Sequence, residues 1–422
     1  MKEKKTGKNI WFFNHYAITP DYPGGSRHFE LGKNMAENGC NVVVFASDYI
    51  HMSFRSLPIE KGKNHRIEGF AEFETLKFIW IKTFPYKRNN WRRLLNMFSY
   101  CRNAYRVSRR LVKHGTIPRP DVIIGCTVHP FAARMAENIA RKFHVPFIFE
   151  IQDLWPQTFI DMGIWKEKGI LSRVFRRIEK QTVRRARSIV VLSPLTTTYL
   201  KEHYGVNERN ITLIPNGVNV NLYPKENSKL AEKNRGSTDE MKLVYLGGID
   251  VVHDLDTLFL VLSQLEKEGS PVTLYMYGDG KRKDFFMKHY PLPNIKWMGP
   301  VKKSQVPGAL NGADVLYMST ARIYYGSENK LFEYLASGKP IICSVYTEHN
   351  NVVERVGAGI SIQPGDIGAL TAAVKKMQHL STVELKNKGK KGRLYVEQHH
   401  QWPLLAQTFM DVIDKVQRET TG

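Results

Sequence analysis

The sequence predicts an α/β protein of two doubly wound, parallel-sheet domains, and three observations carry that prediction. Its 422 residues exceed what one hydrophobic core usually supports. The order strand, glycine turn, helix, strand occurs near the N-terminus and begins again near residue 241. Between the two runs lies a stretch rich in Asn, Pro, Lys, Glu and Ser that opens on the turn signal IPNGV. The expected boundaries are a first domain over residues 1–213, a linker over 214–240 and a second domain over 241–402. A last helix, within 403–422, is expected to cross back to the first domain.

The first run opens with an apolar strand over residues 10–13. A loop carrying Gly24 and Gly25 leads into a helix over 26–38, in which Phe29, Leu31 and Met35 share one side. Gly39 ends that helix and 42–45 reads as the next strand. Strands joined by a crossover helix must be parallel. Further strands are expected at 78–81, 122–124, 147–151 and 188–191, with helices at 131–143 and 171–187. In the second run, strand 243–246 meets the Gly247-Gly248 turn and helix 255–266 follows. Strand 272–277 ends in Gly278-Asp279-Gly280, and later strands fall at 295–298, 315–318, 340–344 and 360–362.

Composition narrows the function classes. Hydrophobic content of 42% with 24% charged residues excludes a disordered or fibrous chain. A formal net charge of +22 calls for an anionic partner: nucleic acid, an anionic lipid surface or a phosphorylated ligand. The four cysteines, Cys40, Cys101, Cys126 and Cys343, form no C-x-x-C pair, which argues against a zinc site or a disulfide framework. No run of about 18 apolar residues and no signal-peptide pattern occurs, so the expected location is cytoplasmic, soluble or bound to a membrane from one side.

Four features carry chemistry. Gly24-Gly25 and Gly247-Gly248 stand where backbone amides approach a phosphate ahead of a helix N-terminus, or where the chain simply turns. In SENKLFEYLASGKP, Ser327 is placed to cap a helix and Glu333 sits among apolar residues. Glu333 is read either as a carboxylate for ribose hydroxyls or as a solvent-facing residue of an amphipathic helix. Asp153 follows a strand at the end where such sheets bind ligands, as an acid–base group or as a helix cap. Residues 82–119 hold Arg88, Arg92, Arg93, Arg102, Arg106, Arg109 and Arg110, with Trp91 and other apolar side chains interleaved and no acidic residue. That pattern fits a cationic amphipathic helix on an anionic membrane face, or a solvated helix packed on the sheet. No zinc-finger spacing or ribonucleoprotein motif supports nucleic acid.

Taken together, YPGGSRHFELGKNMAENG, TVHPFAARMAENIARKFHVPFIFEIQDLWPQ, VVLSP, IPNGVN, LGGIDVVHDLDTL, MYGDG, SENKLFEYLASGKP and VGAGISIQPGD resemble glycosyltransferase family 4 over nearly the whole chain. The wording is similar to the bacterial subgroup for O-antigen, capsule and exopolysaccharide synthesis. The resemblance implies a GT-B fold, two Rossmann-like domains facing a central cleft, and retaining transfer without a metal or other cofactor. It implies a nucleotide-sugar donor on the second domain, here a UDP-linked amino sugar. The acceptor, a polyprenyl-diphosphate-linked saccharide, would bind the first domain at the inner face of the cell membrane. Glu333 matches the second Glu of the family motif; Tyr325 occupies the place of the first, with Glu328 close by. Gly248 and His253 stand at the family's phosphate-binding Arg and Lys, and Lys281, Arg282 or Lys330 would supply the charge instead. Gly278, Asn329 and Leu331 complete the expected donor contacts, and Asp153 with His129, or less directly His15, the expected catalytic ones. The rivals are a nucleotide-sugar epimerase of the same architecture and a non-catalytic membrane-surface scaffold.

Overall fold

Period-2 burial explains the first sheet. In β1 (Asn9–Phe13), Ile10 and Phe12 enter one apolar layer while Trp11 and Phe13 enter the other, as in a strand covered on both faces. The computed structural model describes residues 7–87, 91–223, 240–320, 325–327, 329–346 and 351–421. Within these, the chain divides into two units, the first taking the chain up to Asn216, residues 325–327 and everything from Trp402. The second unit takes the rest.

In the first unit β1 is followed by α1 (Arg27–Glu37), β2 (Asn41–Ser47) and a small hairpin, β3 (Tyr49–Ile50) and β4 (Arg55–Ser56). Then come β5 (His65–Phe70), β6 (Phe73–Ile81), α2 (Trp91–Lys113), β7 (Val122–Cys126), α3 (Pro130–Phe143) and β8 (Phe147–Ile151). After these run α4 (Gln157–Asp161), α5 (Ile170–Arg185), β9 (Ser188–Val191), α6 (Pro194–Tyr204) and β10 (Ile211–Leu213). The sheet order is β10-β9-β8-β7-β1-β2-β6-β5, with only the β5–β6 pair antiparallel. The hairpin β3–β4, the edge strands β5 and β10, and α6 go beyond the elements that the sequence pattern predicts.

The second unit contains β11 (Met241–Leu246), α7 (Leu255–Lys267), β12 (Val272–Tyr277), α8 (Lys283–His289), β13 (Ile295–Gly299), α9 (Val306–Asn311) and β14 (Val315–Ser319). It continues through α10 (Asn329–Ala336), β15 (Ile341–Ser344), α11 (Val352–Arg355), β16 (Gly359–Ile362), α12 (Ile367–His379) and α13 (Thr382–His399). Its sheet is wholly parallel, in the order β13-β12-β11-β14-β15-β16. Ser381 and Glu384 cap α13 reciprocally. Gly389 of that helix meets the Gly338 carbonyl so closely that a Cβ would lie 1.8 Å from its oxygen.

The chain then returns. Leu405, Phe409, Ile413 and Val416 of α14 (Trp402–Thr421) join Ile10, Phe12, Leu31 and Val42 in the first unit's core. Of the expected linker, Ile214 belongs to that same core, Val220–Leu222 forms one short turn, and 224–239 lie outside the described residues.

Candidate functional site

Each sheet reverses its strand order once, and the carboxyl ends on either side of that reversal are where such sheets bind ligands. In the first unit the reversal separates β1 from β7, and a histidine pair spans it. His15, just after β1, has Nδ1 2.6 Å from His129 Nε2, just after β7. His129 is also the N-cap of α3, its Nδ1 accepting from the Ala132 amide, so the ring proton must sit on Nε2 and point at His15. Burial, with Arg93 nearby, lowers the pKa of His129 to about 3; burial and His129 take His15 well below its ordinary value. Both rings are therefore neutral and closed to solvent. His129, expected from the sequence as a catalytic group, here fixes a helix end, as Pro130 at the first helical position hints.

A second buried network lies beside this pair. Glu150 of β8 accepts from Arg27 Nε at 2.8 Å, from His28 Nε2 at 2.7 Å and from Cys126 Sγ at 2.9 Å. Burial pushes its carboxyl up, but Arg27, His28 and Cys126 together outweigh that and hold it well below the usual carboxylate range. The Cys126 thiol is pushed far up by burial and by Glu150, so it stays a neutral donor. His28, Cys126 and Glu150 bring ligand-type atoms within 4.8 Å of one another. With Glu150 already neutralised by a guanidinium, that donor set suits a hydrogen-bonded carboxylate and not a cation. Arg27 goes on to donate to the carbonyls of Ile214 and Pro215, and Asn14 Nδ2 donates to His28 Nδ1 and to Gln152 Oε1. Sequence reasoning missed this network, although a Glu inside the apolar strand FIFEI signals it.

Asp153 stands partly exposed above the network, its amide donating to the Thr127 carbonyl. Burial raises its pKa to about 6, opposed by Arg93. The sequence pattern puts Arg93 on a membrane face. It instead turns from the first turn of α2 towards the sheet, its Nε 3.3 Å from Tyr16 Oη. Ahead of α1, Gly24 and Gly25 lie exposed, and only Gly24 needs positive φ, at +134°.

In the second unit the reversal separates β11 from β14, and a histidine again bridges it: His253 Nδ1 donates to the Ser319 carbonyl at 2.9 Å. Gly247 and Gly248 follow β11, but the neighbouring turn already consumes two amides. Gly247 N–H donates to the Tyr277 carbonyl and Ile249 N–H to that of Asp279. Gly278 is required because a Cβ there would lie 1.8 Å from the Gly247 oxygen. Lys330 of α10 reaches this turn: a Cβ on Gly247 would lie 2.5 Å from its Nζ. One turn further along α10, Glu333 is half-buried; burial raises its pKa, with Lys303 and Lys330 opposing. His253 is lowered by burial first and by Lys330 second.

The remaining expected donor residues divide. Lys281 is exposed on the β12 turn. Arg282 is engaged, with both terminal nitrogens on the Asp256 carboxylate and its guanidinium over Phe285 and Phe286. Leu331 is a core residue, 2% exposed. Tyr325 and Ser327 pack on the first unit: the Tyr325 carbonyl accepts from Thr196, and Ser327 Oγ accepts from the Asn216 amide. Arg88, Glu328 and the Asn329 side chain lie outside the described residues.

Helix α2 buries Met97, Tyr100, Ala104, Val107 and Leu111 and leaves Arg92, Arg102, Arg106, Arg109 and Arg110 exposed. Its first turns also expose Trp91 (63%), Leu94, Leu95 and Phe98 (52%). Phe98 packs on Phe131 of α3 and Phe131 on Phe175 of α5, where Ile170, Leu171 and Val174 are exposed in turn. No helix among the described residues is long and apolar enough to cross a membrane.

Residues 24–222 match the family described as Glycosyltransferase Family 4, and residues 240–379 match Glycosyl transferases group 1. Glycogen synthase of Mycobacterium tuberculosis is 25% identical over 281 residues, which is 64% of each chain, so the match spans just under two thirds of that relative. Sucrose-phosphate synthase of Thermosynechococcus elongatus superposes with a TM-score of 0.73 at 16% identity, covering 97% of this chain and 99% of that one. Anabaena Alr3699/HepE in complex with UDP-glucose gives 0.64 at 14% identity, covering 96% and 99%. These two likenesses show a shared fold.

Proposed function

Because the chain belongs to the GT-B glycosyltransferases built from a Family 4 module followed by a group 1 module, we propose that it moves a sugar from a nucleotide-sugar donor to an acceptor. One observation carries the donor half of this reading. At the strand-order reversal of the second unit, the Lys330 ammonium is seated against Gly247, 2.5 Å from where a Cβ would stand, with Glu333 one turn along the same helix. A cation beside a bare backbone suits a departing diphosphate, whose developing charge it stabilises. A half-buried carboxylate suits the hydroxyls of a ribose. UDP is the proposed nucleotide, supported by the UDP-glucose named with the Anabaena neighbour and by the resemblance to an amino-sugar-using subgroup.

Transfer is proposed to retain anomeric configuration without a metal, the leaving phosphate accepting the acceptor proton on the same face. Asp153 orients the acceptor hydroxyl for that attack, or takes its proton in place of the phosphate, its raised pKa suiting it to that task. The acceptor is proposed to be a saccharide on a polyprenyl diphosphate, in cell-surface polysaccharide synthesis at the inner face of the membrane. Support for that location is the arginine-flanked apolar surface of α2, which matches an anionic lipid face.

The test is thermal stabilisation by UDP, UDP-glucose, UDP-N-acetylglucosamine, GDP and dTDP. A uridine-specific shift that Lys330→Ala and Glu333→Ala abolish is expected. No shift with any nucleotide in the wild type would sink the donor assignment.

A further inference from the structure

We propose that Arg93, Tyr16, His51 and Phe54 form a subsite for a glycosyl phosphate, the phosphorylated sugar end of the acceptor; this rests on the transferase reading above. Four observations, all within the first unit, converge on it. First, Arg93 leaves the otherwise outward-facing basic series of α2 and lies with its guanidinium 5.8 Å from the Tyr16 ring centre. Its Nε is directed to Tyr16 Oη. The planar fork of a guanidinium is suited to bidentate contact with phosphate oxygens.

Second, Tyr16 stacks on His51 at 5.2 Å, and His51 Nδ1 is 2.6 Å from Tyr86 Oη. Burial and Arg93 lower the His51 pKa, so the ring stays neutral with one N–H. Third, Phe54 closes the rim of this aromatic cup. It lies 5.8 Å from His51 and 6.2 Å from Tyr86, and is 45% exposed. Its backbone has φ of +53°, a left-handed conformation that a bulky side chain adopts only at a cost. A strained, exposed aromatic at the tip of the β3–β4 hairpin is placed to stack on a sugar face. Fourth, Arg93 is the charge felt by Asp153 and by His15, His51 and His129 around the carboxyl ends of the strands. The three histidines, with lowered pKa values, add no positive charge of their own beside Asp153.

The chemistry has two sources, a soluble sugar phosphate or a lipid-linked one, and the experiment separates them. Binding of N-acetylglucosamine 1-phosphate in solution, and of farnesyl-diphospho-N-acetylglucosamine in neutral detergent micelles, is measured on the full chain, with free N-acetylglucosamine as control. Arg93→Ala is expected to weaken phosphate-dependent binding about ten- to hundredfold, the usual worth of hydrogen bonds to a charged group. Arg93→Lys should lose less, Phe54→Ala should weaken both probes, and Lys142→Ala, at an exposed position of α3, should match the wild type. Arg93-dependent binding of both probes supports the subsite; Arg93-dependent binding of the micellar probe alone supports it and assigns the lipid source. Failure of the wild type to bind either probe, or equal binding by wild type and Arg93→Ala, overturns it. Should Arg93→Ala not fold, Arg93→Lys and Arg93→Gln carry the comparison. The UDP shift reads the second unit separately, so its loss counts against the donor assignment, while the Arg93 comparison alone decides the subsite.

Discussion

Asp153 and Glu150 are three residues apart on one strand and its exit loop, yet their surroundings push their ionisation in opposite directions. Asp153, raised from 3.8 to about 6, is neutral below that pH and anionic above it. If the anion acts on the acceptor, transfer falls as pH drops through about 6, and Asp153→Asn lowers the rate by about 10²- to 10⁴-fold while removing that acid limb. A pH–rate profile of both proteins decides it. Glu150 is the contrary case: its folded pKa is depressed, so its stabilisation is full above the ordinary carboxylate range and is lost as pH falls through the folded value. Glu150→Gln leaves Arg27 buried without its counter-charge, and urea unfolding at neutral pH should show a loss of about 3–5 kcal/mol.

Residue-level legibility is uneven for a physical reason. Asp153 and Glu333 are readable because a strand end or an apolar helix marks a carboxyl as out of place. Arg93 is not, because only the packing of α2 decides which arginine turns inward. Arg282 is held by a carboxylate 26 positions earlier, a pairing that no local pattern announces.

Helices and strands with strong periodicity are the legible elements. The parallel strands are apolar runs covered on both faces, and α1, α3 and α7 show their inward stripes. The β5–β6 ribbon is half legible: residues 78–81 are the buried end of a nine-residue strand whose other half alternates with solvent at the sheet edge. Nor does a glycine turn reveal whether its amides are available, since β11–β12 register commits two of them.

At this scale α2 makes the membrane reading testable. Reversing Arg92, Arg102, Arg106 and Arg109 to Glu should abolish partitioning to vesicles containing phosphatidylserine, each lost contact weakening it about fivefold. Equal partitioning of wild type and variant, or no difference between neutral and anionic vesicles, contradicts an electrostatic role. In α13, Gly389→Ala forces its Cβ into the Gly338 carbonyl; chemical unfolding should place that single methyl among strongly destabilising changes, about 1–3 kcal/mol.

Each unit, taken whole, solves the same problem alike. Parallel strands flank a reversal of strand order, and a histidine hydrogen bond spans the reversal: His15 to His129 in the first unit, His253 to Ser319 in the second. The chain's route is less symmetrical, because α14 belongs to the unit that β1 began. Removing residues 402–421 should leave the second unit's nucleotide-induced stabilisation in place while the first unit unfolds at lower temperature; a single shared transition, lowered as one, would contradict that division.

The return of α14 also orders events in time. Ile10, Phe12 and Leu31 emerge early from a ribosome, but Phe409 and Ile413, which cover them, emerge only after the entire second unit. At about 5–20 residues per second, the interval is on the order of twenty to eighty seconds. For that long the nascent first unit carries an open apolar seam, a standing target for whichever chaperone attends the ribosome exit, and its escape from that attendant is timed by the completion of the other unit.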